Sequence, residues 1–381
     1  MLPRLLRGVA VTAAIAGLAY LSFARRCISD FKDRAPNRGG AQPPVTILKP
    51  LYGDEPELYD NLRSFCEQAY PDFRVVFGVN DQEDPAHAVA TAVRDSLPAS
   101  DIVITVGVES AANPKVANLL KMATEARGEI FVIADSDMRV GPTYLPEIVA
   151  SFSDAQVGAV TCLYRGRPRS GVAAVLGAMF INSYFAPSVL VASQLQGIAF
   201  ALGATIAIRR SVLEGVGGFA VLAPHLADDY ELGRLTQAAG YDIRIAQYVV
   251  ENVVTEPSLS TLIEHELRWA RTIAAVRPLG YAFSGVTFPL TWALLYLMLG
   301  GRRRRGLMLV AAAFASRARL QKAAYGTLGV SRNDPLWLIP ARDTLAFAIW
   351  IASFFGRGVR WRERAFDQER GGRLQPKERP R

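Results

Sequence analysis

Cysteine and histidine are scarce, three of each in 381 residues. Cys27, Cys66 and Cys162 are an odd number at spacings that fit neither a metal cluster nor a redox pair. That excludes a disulfide framework and leaves them as reduced, structural thiols. His87 and His225 have no second ligand at metal-binding spacing and are read as structural or surface residues. Acids are also in deficit, 35 against 43 Lys and Arg, for a net charge of +8. The excess is uneven, because residues 356–381 carry eight Arg and one Lys against four acids. No nucleic-acid motif accompanies this basic tail (357–381), so nucleic acid is not expected as a partner. The tail is read as facing the anionic cytoplasmic surface of a membrane.

Two of the chain's charge-free stretches lie ahead of its C-terminal apolar segments. Residues 8–24 carry no charge, are flanked by Arg4, Arg7, Arg25 and Arg26, and are just long enough to span a bilayer. Residues 1–28 are therefore expected to form a transmembrane anchor; a secretory signal is the rival reading, disfavoured because no clean small-residue cleavage site follows. The second stretch is Ser170–Ile208, whose Asn182, Ser183, Pro187, Ser193, Gln194 and Gln196 point to domain core or an apolar acceptor groove rather than a membrane span. Apolar segments near Leu279–Leu299, Gly306–Ala315 and Leu336–Phe355 make 276–356 a region of C-terminal transmembrane or interfacial helices. Arg302–Arg305 end the first segment against the positive-inside tendency, and Arg342 and Asp343 sit inside the last, which favours an interfacial or re-entrant path there.

After a polar linker at 29–44, with Pro36, Gly39, Gly40, Pro43 and Pro44, strand-like and helix-like segments alternate through a domain expected at 43–275. Strands are predicted at Val45–Leu48, Arg74–Val79, Ile102–Val106, Ile130–Ala134 and Val157–Leu163, and helices at Pro56–Gln68, Pro85–Leu97 and Pro114–Ala126, each opening with proline. Alternation at these lengths predicts an α/β fold with a doubly wound, mostly parallel sheet. A helix from Asp228 or Asp229 to Ala239 follows, then an irregular segment and a helix over Thr261–Ile273.

The acidic residues fall where such a sheet needs them. Asp81 and Asp84 follow the second strand and Asp135-Ser136-Asp137 the fourth, so both sets are expected at the carboxyl edge, where ligands bind in open α/β sheets. Carboxylates gathered there want a cation, and a divalent Mg2+ or Mn2+ holding a diphosphate is the chemistry they fit. Asp81 and Asp84 suit hydrogen bonds from a uracil and a ribose. Asp137, with Asp135, suits the metal, and Asp135 the ribose or sugar. Lys115, opening a helix, suits phosphate. Asp229, with Asp228 as runner-up, suits a general base. Arg268 suits diphosphate oxygens or a carboxylate, and Trp269 a sugar or acceptor ring.

The blocks Leu48-Lys49-Pro50-Leu51, Asp81-Gln82-Glu83-Asp84-Pro85-Ala86, Asn113-Pro114-Lys115 with Asn118-Leu119, Asp135-Ser136 and Leu226-Ala227-Asp228-Asp229-Tyr230 together resemble the ceramide glucosyltransferase-like branch of the family 2 type inverting glycosyltransferases. The resemblance covers residues 43–275 and implies the GT-A fold, a UDP-sugar donor and a membrane lipid acceptor. It matches the first acidic motif to Asp84, the second to Asp135 and the catalytic base to Asp229. The closing motif, Gln or Arg followed two residues later by Arg-Trp, falls on His265, Arg268 and Trp269, so His265 departs from the pattern at a position that handles acceptor or diphosphate. The Ala- and Arg-rich composition and the His-Glu-Leu-Arg-Trp variant are similar to bacterial hopanoid biosynthesis-associated glycosyltransferases. That similarity implies transfer of N-acetylglucosamine from UDP-N-acetylglucosamine to bacteriohopanetetrol, on the cytoplasmic face of a bacterial inner membrane. The alternatives are a ceramide-type enzyme using UDP-glucose, a processive polysaccharide synthase, and a non-catalytic scaffold.

Overall fold

The computed structural model describes residues 2–34, 40–330 and 336–356 in full, and 358–361, 364–368 and 374–376 as backbone. Pro36 and Gly39 of the linker and the side chains of the basic tail lie outside the described residues. The chain folds as two compact units, one of Arg34–Tyr164 and Gly197–Val253, the other of Met1–Asp33, Arg165–Gln196 and Val254–Arg381.

The first unit is built on strands β1 (Val45–Pro50), β2 (Phe73–Val79), β3 (Ile102–Val106), β4 (Ile130–Ile133), β5 (Met138–Arg139), β6 (Val157–Pro168), β7 (Ile206–Arg209) and β8 (Asp242–Val254), the last residues of β6 and β8 running on beyond it. They pair in the order β3-β2-β1-β4-β7-β6-β8-β5. The first four are parallel, and the β-branched and aromatic residues of β1, β2 and β4 are largely buried on both faces, as parallel strands covered by helices require, while those of the edge strand β3 are mostly half-buried. Ile47, Val75, Phe77 and Val132 pack on one side with Leu62, Phe65 and Val93. Leu48, Val76, Phe131 and Ile133 pack on the other with Val116, Leu119 and Met122. Each such side chain contributes roughly 1.5–3 kcal/mol by leaving water.

The five predicted strands are present, with β6 running five residues further than expected. The helices form at Leu58–Cys66, Pro85–Ser96 and Pro114–Met122. Proline opens the last two only; before the first, Glu57 takes a left-handed φ of 61°. The other half of the sheet differs from expectation. β7 runs antiparallel to β4 and β6, and β5 antiparallel to β8, so the sheet is mixed. The stretch read as irregular after Gly240 is the 13-residue strand β8; its half-polar sequence, Asp-Ile-Arg-Ile-Ala-Gln-Tyr, hides the alternation.

The second unit is helical. Leu2–Lys32 packs against Pro289–Met298 and Arg303–Leu328. Gly171–Phe180 continues through a π-helical turn, Ile181–Phe185, into Ala186–Gln196. Most of this charge-free segment is buried in its unit. Its Asn182 is spent internally, accepting from Gly166 N at 2.8 Å and donating to Gly166 O at 3.0 Å. Among the described residues three helices are long and apolar enough to cross a membrane, Leu2–Lys32, Gly171–Gln196 and Leu336–Ser353. A bent pair, Pro278–Thr287 and Pro289–Met298, turns by 67°. The segment expected at Gly306–Ala315 is part of the longer Arg303–Leu328 helix.

Arg342 and Asp343, read from sequence as favouring an interfacial path, have partners inside the helical unit. Both are fully buried. Arg342 donates to the two carboxylate oxygens of Glu266 at 2.7 and 2.6 Å. Asp343 accepts from Arg317 at 3.2 Å, from Tyr184 at 3.2 Å, and from the backbone and hydroxyl of Thr291 at 3.0 Å each. Cys27, Cys66 and Cys162 are free and buried.

Candidate active site

The register of the parallel strands sets the site. Pro50 lies opposite Gly78, and Leu48 opposite Ile133, so the loops leaving β1, β2 and β4 share one edge. Asp81 is exposed on the loop after β2. Asp84 is buried and already engaged, with one oxygen accepting from Ala86 N at 2.9 Å to cap the Pro85–Ser96 helix and from Gly53 N at 2.8 Å. It therefore ties the loop after β1 to the loop after β2.

Asp135 lies two residues past β4, and β7 enters the same edge antiparallel, with Ile206 opposite Ile133. That register brings Gly203 to Asp135. A Cβ at Gly203 would lie 3.1 Å from Asp135 Oδ2, 3.4 Å from Asp229 Oδ2 and 3.9 Å from Lys115 Nζ. Only a glycine leaves the space between these groups open. Lys115 Nζ is 2.7 Å from Asp135 Oδ1 and 3.5 Å from Asp228 Oδ2. Its helix is capped by Asn113, whose side chain accepts from Lys115 N and Val116 N and donates to His225 O. Lys115, read from sequence as a phosphate ligand, is thus the internal counter-ion of the acidic cluster.

Asp228 and Asp229 are the first residues of the Asp228–Ala238 helix, and neither is its N-cap, a position held by Ala227. The Asp229 carboxylate instead accepts from Gly203 N at 3.0 Å and from Tyr230 N at 2.7 Å. No hydrogen bond or ion pair among the described residues joins Asp81 or Asp84 to this cluster.

The electrostatics follow from crowding. Burial, followed by the charge of Asp228, pushes the Asp229 carboxyl up to about 6, against the opposing pull of Lys115 and the Tyr230 amide. Burial, Asp135 and Glu55 push Asp137 up to about 7, although Asn252 Nδ2 donates to it at 2.7 Å. The β5–β8 register, which sets Met138 opposite Asn252, delivers that amide. Burial raises Asp228 as well. For Lys115 burial works against the charge, but Asp135 and Asp228 outweigh it and hold the ammonium protonated.

Four residues here escaped the sequence reading as site groups. Lys49, fully buried at the end of β1, donates to Asp135 O at 2.7 Å and sits 3.6 Å from the centre of the Phe65 ring. Burial pulls its ammonium down to about 7, though Asp137 and Asp135 favour the charge. A lysine inside an otherwise buried strand was the available signal. Burial raises the Tyr164 phenol, and Asp229, Asp137 and Asp135 raise it further. Asn252 and Gly203 carry no local mark in the sequence.

His265, Arg268 and Trp269 belong to the helical unit. On the Leu259–Val276 helix they fall at i, i+3 and i+4, hence on one face. His265 Nδ1 is 2.7 Å from Glu256 Oε1, its ring centre is 4.3 Å from that of Trp269, and Trp269 stacks on Phe180 at 6.5 Å. His265, in place of the family's Gln or Arg, is therefore held by a carboxylate and an indole.

The donor set fits a divalent cation shared with phosphate. Burial and the neighbouring Asp135 charge raise the Asp137 carboxyl, a crowding that a divalent cation would relieve. Among the described residues no group of three or more His, Cys, Asp or Glu is arranged to hold a metal. Two carboxylates suffice where substrate phosphates and water complete the shell.

The profile of glycosyl transferase family 21 matches residues 8–374. Ceramide glucosyltransferase 3 of Caenorhabditis elegans is 24% identical over 241 residues, covering 62% of this chain and 52% of that protein. The ceramide glucosyltransferase of Gibberella zeae is 30% identical over 173 residues, 41% of this chain and 32% of that one. The chain spans about half the length, or less, of these curated relatives. Among solved structures, the mannosyltransferase PcManGT from Pyrobaculum calidifontis, in complex with GDP-Man and Mn2+, aligns with a TM-score of 0.56 at 18% identity, covering 92% of this chain and 99% of that one. That likeness shows the fold, a mixed α/β sheet of the GT-A glycosyltransferases. With the family profile covering nearly its whole length, this chain belongs to glycosyl transferase family 21.

Proposed function

We propose that this protein is a membrane-bound enzyme that transfers a sugar from a UDP-sugar to the hydroxyl of a lipid alcohol, with inversion at the anomeric carbon. The observation that carries the reading is the convergence of Asp135, Asp229 and Lys115 around the side-chain-free space at Gly203. Asp229 accepts the hydroxyl proton as the acceptor oxygen bonds to the anomeric carbon, and the nucleoside diphosphate leaves with the electron pair of the broken bond. The two backbone amides on Asp229 fix its orientation. Lys115 and Lys49 hold the Asp135 loop from opposite ends, through its carboxylate and its carbonyl. Asp135 and Asp137 would hold a Mg2+ or Mn2+, which, when bound, neutralises the departing diphosphate. Asp81 and Asp84 take the nucleoside, and Arg268, Trp269 and His265 the diphosphate or acceptor roles that their motif implies.

The curated relatives are ceramide glucosyltransferases, which favours glucose transfer to a ceramide-type lipid over the N-acetylglucosamine transfer to bacteriohopanetetrol expected from the sequence variant. Three helices long and apolar enough to span a bilayer support a membrane-embedded acceptor. The test is a detergent-solubilised assay crossing UDP-glucose and UDP-N-acetylglucosamine with ceramide and bacteriohopanetetrol, with and without EDTA, products being read by mass spectrometry. A hexose on ceramide that EDTA abolishes is the expected result. A hexosamine on the hopanoid reverses the choice of substrates, and no product in any pairing overturns the enzyme reading.

A further inference from the structure

A groove of about 580 Å3 runs along the first turns of the Leu2–Lys32 helix. Arg4 stands at one end, Gly8, Val9, Thr12 and Ala16 line it, and Val286 flanks it. From Arg4 to Ala16 the helix rises roughly 18 Å. Arg7 donates to Gly300 O at 2.9 Å, fixing these turns beside the Gly300–Arg302 turn, after which Arg303, Arg304 and Arg305 open the next helix. Arg4 and all four arginines of the 302–305 run are exposed. Residues 2–29 and 278–333 contain no Asp or Glu, and among the described residues none of these arginines is in an ion pair. Met298, Leu307 and Met308 are exposed beside them.

Exposed guanidinium groups on segments that carry no acid take their counter-charge from outside the chain. A soluble anion would satisfy the arginines and leave the groove wet. A neutral lipid would fill the groove and leave the arginines unpaired. We propose that the groove holds an acyl chain of an anionic phospholipid whose phosphate is bound by Arg4, the arginine that lines it, with the 302–305 arginines adding positive potential at the same turns. Arginine matches phosphate with two parallel hydrogen bonds, and basic residues at a helix end read as an anionic-lipid site. The proposal does not depend on the transfer reaction.

The test uses the full chain in nanodiscs of mixed phosphatidylcholine and phosphatidylglycerol, ejected and weighed by native mass spectrometry so that retained lipids are counted. The wild type is expected to retain phosphatidylglycerol preferentially, by about fivefold for each arginine that reaches a headgroup. Replacing Arg4 and Arg302–Arg305 by Gln, with Arg7 kept because it anchors Gly300, is expected to bring the two lipids to parity. Gly8→Leu is expected to weaken retention of both lipids with every charge in place; a Cβ at Gly8 meets nothing within 4 Å, so the side chain intrudes into the groove without disturbing packing. Equal retention of both lipids by the wild type, unchanged retention in Gly8→Leu, or a dimer that Gly8→Leu dissociates would each overturn the proposal, the last by making the groove an interface between copies.

Discussion

The two units bury charge in opposite ways. In the helical unit the account balances: Glu266 faces Arg342, and Asp343 faces Arg317, each pair almost completely buried and further tied by hydrogen bonds. In the sheet unit it does not. Asp135, Asp137, Asp228 and Asp229 crowd one edge, with Lys115 paired to two of them and the Lys49 ammonium weakened by burial. Balanced pairs have nothing left to offer a ligand and serve architecture. An acidic surplus held open by Gly203 is unfinished until a cation or a proton arrives, which is the condition of a site that does chemistry.

The largest effect expected from breaking this contrast is at Asp229. Asp229→Asn keeps the shape and removes the proton acceptor, so turnover should fall by about 10²–10⁴-fold while UDP-sugar binding stays near wild type. Single-turnover transfer beside donor titration separates the two. Retained turnover would move the base to Asp228.

The helical unit should respond in stability instead. Arg342→Met strands the Glu266 carboxylate in an apolar interior, and losing one partner of a buried pair costs about 3–5 kcal/mol. The double variant Glu266→Leu with Arg342→Met should recover most of that loss, because the charge left behind is what destabilises. Thermal melting in detergent reads both. A double variant no better than the single would mean that the pair holds more than its own charges.

This division was only half legible in the sequence. Strands β1 to β4 announce themselves because packing on both faces makes each a short apolar run, and the acids that follow β2 and β4 inherit their place at the sheet edge. The antiparallel half is quieter. β7 is only four residues long and its Ile206–Ile208 merges into the charge-free stretch before it, while β8 carries Asp242, Arg244, Gln247, Glu251 and Asn252, which break up any continuous apolar run. With them went Gly203 and Asn252, which reach the site through strand register and not through any local motif. Arg342 and Asp343 hid their partners for a related reason. A charged pair in an apolar helix looks alike whether it faces lipid headgroups or partners 26 and 76 residues away.

The finest test of the contrast is its pH dependence. A carboxyl raised to about 6 in the fold must lose its proton to act as a base, so kcat/KM should be full above that value and fall about tenfold per pH unit below it. A divalent cation bound by Asp137 would remove that carboxyl from this limb, because a carboxylate that binds metal is held deprotonated. Stability should run the other way. A folded pKa above the unfolded one means that the native state binds the extra proton, so Asp229 weakens the fold as pH rises from its unfolded value through about 6. Asp229→Asn should therefore melt a few degrees above wild type at about pH 8 and match it near pH 4. An inactive variant that is also more stable, with a difference that vanishes in acid, would identify Asp229 as a group held at a folding cost for its chemistry. Equal melting across the range would place the surplus charge on the other three carboxylates.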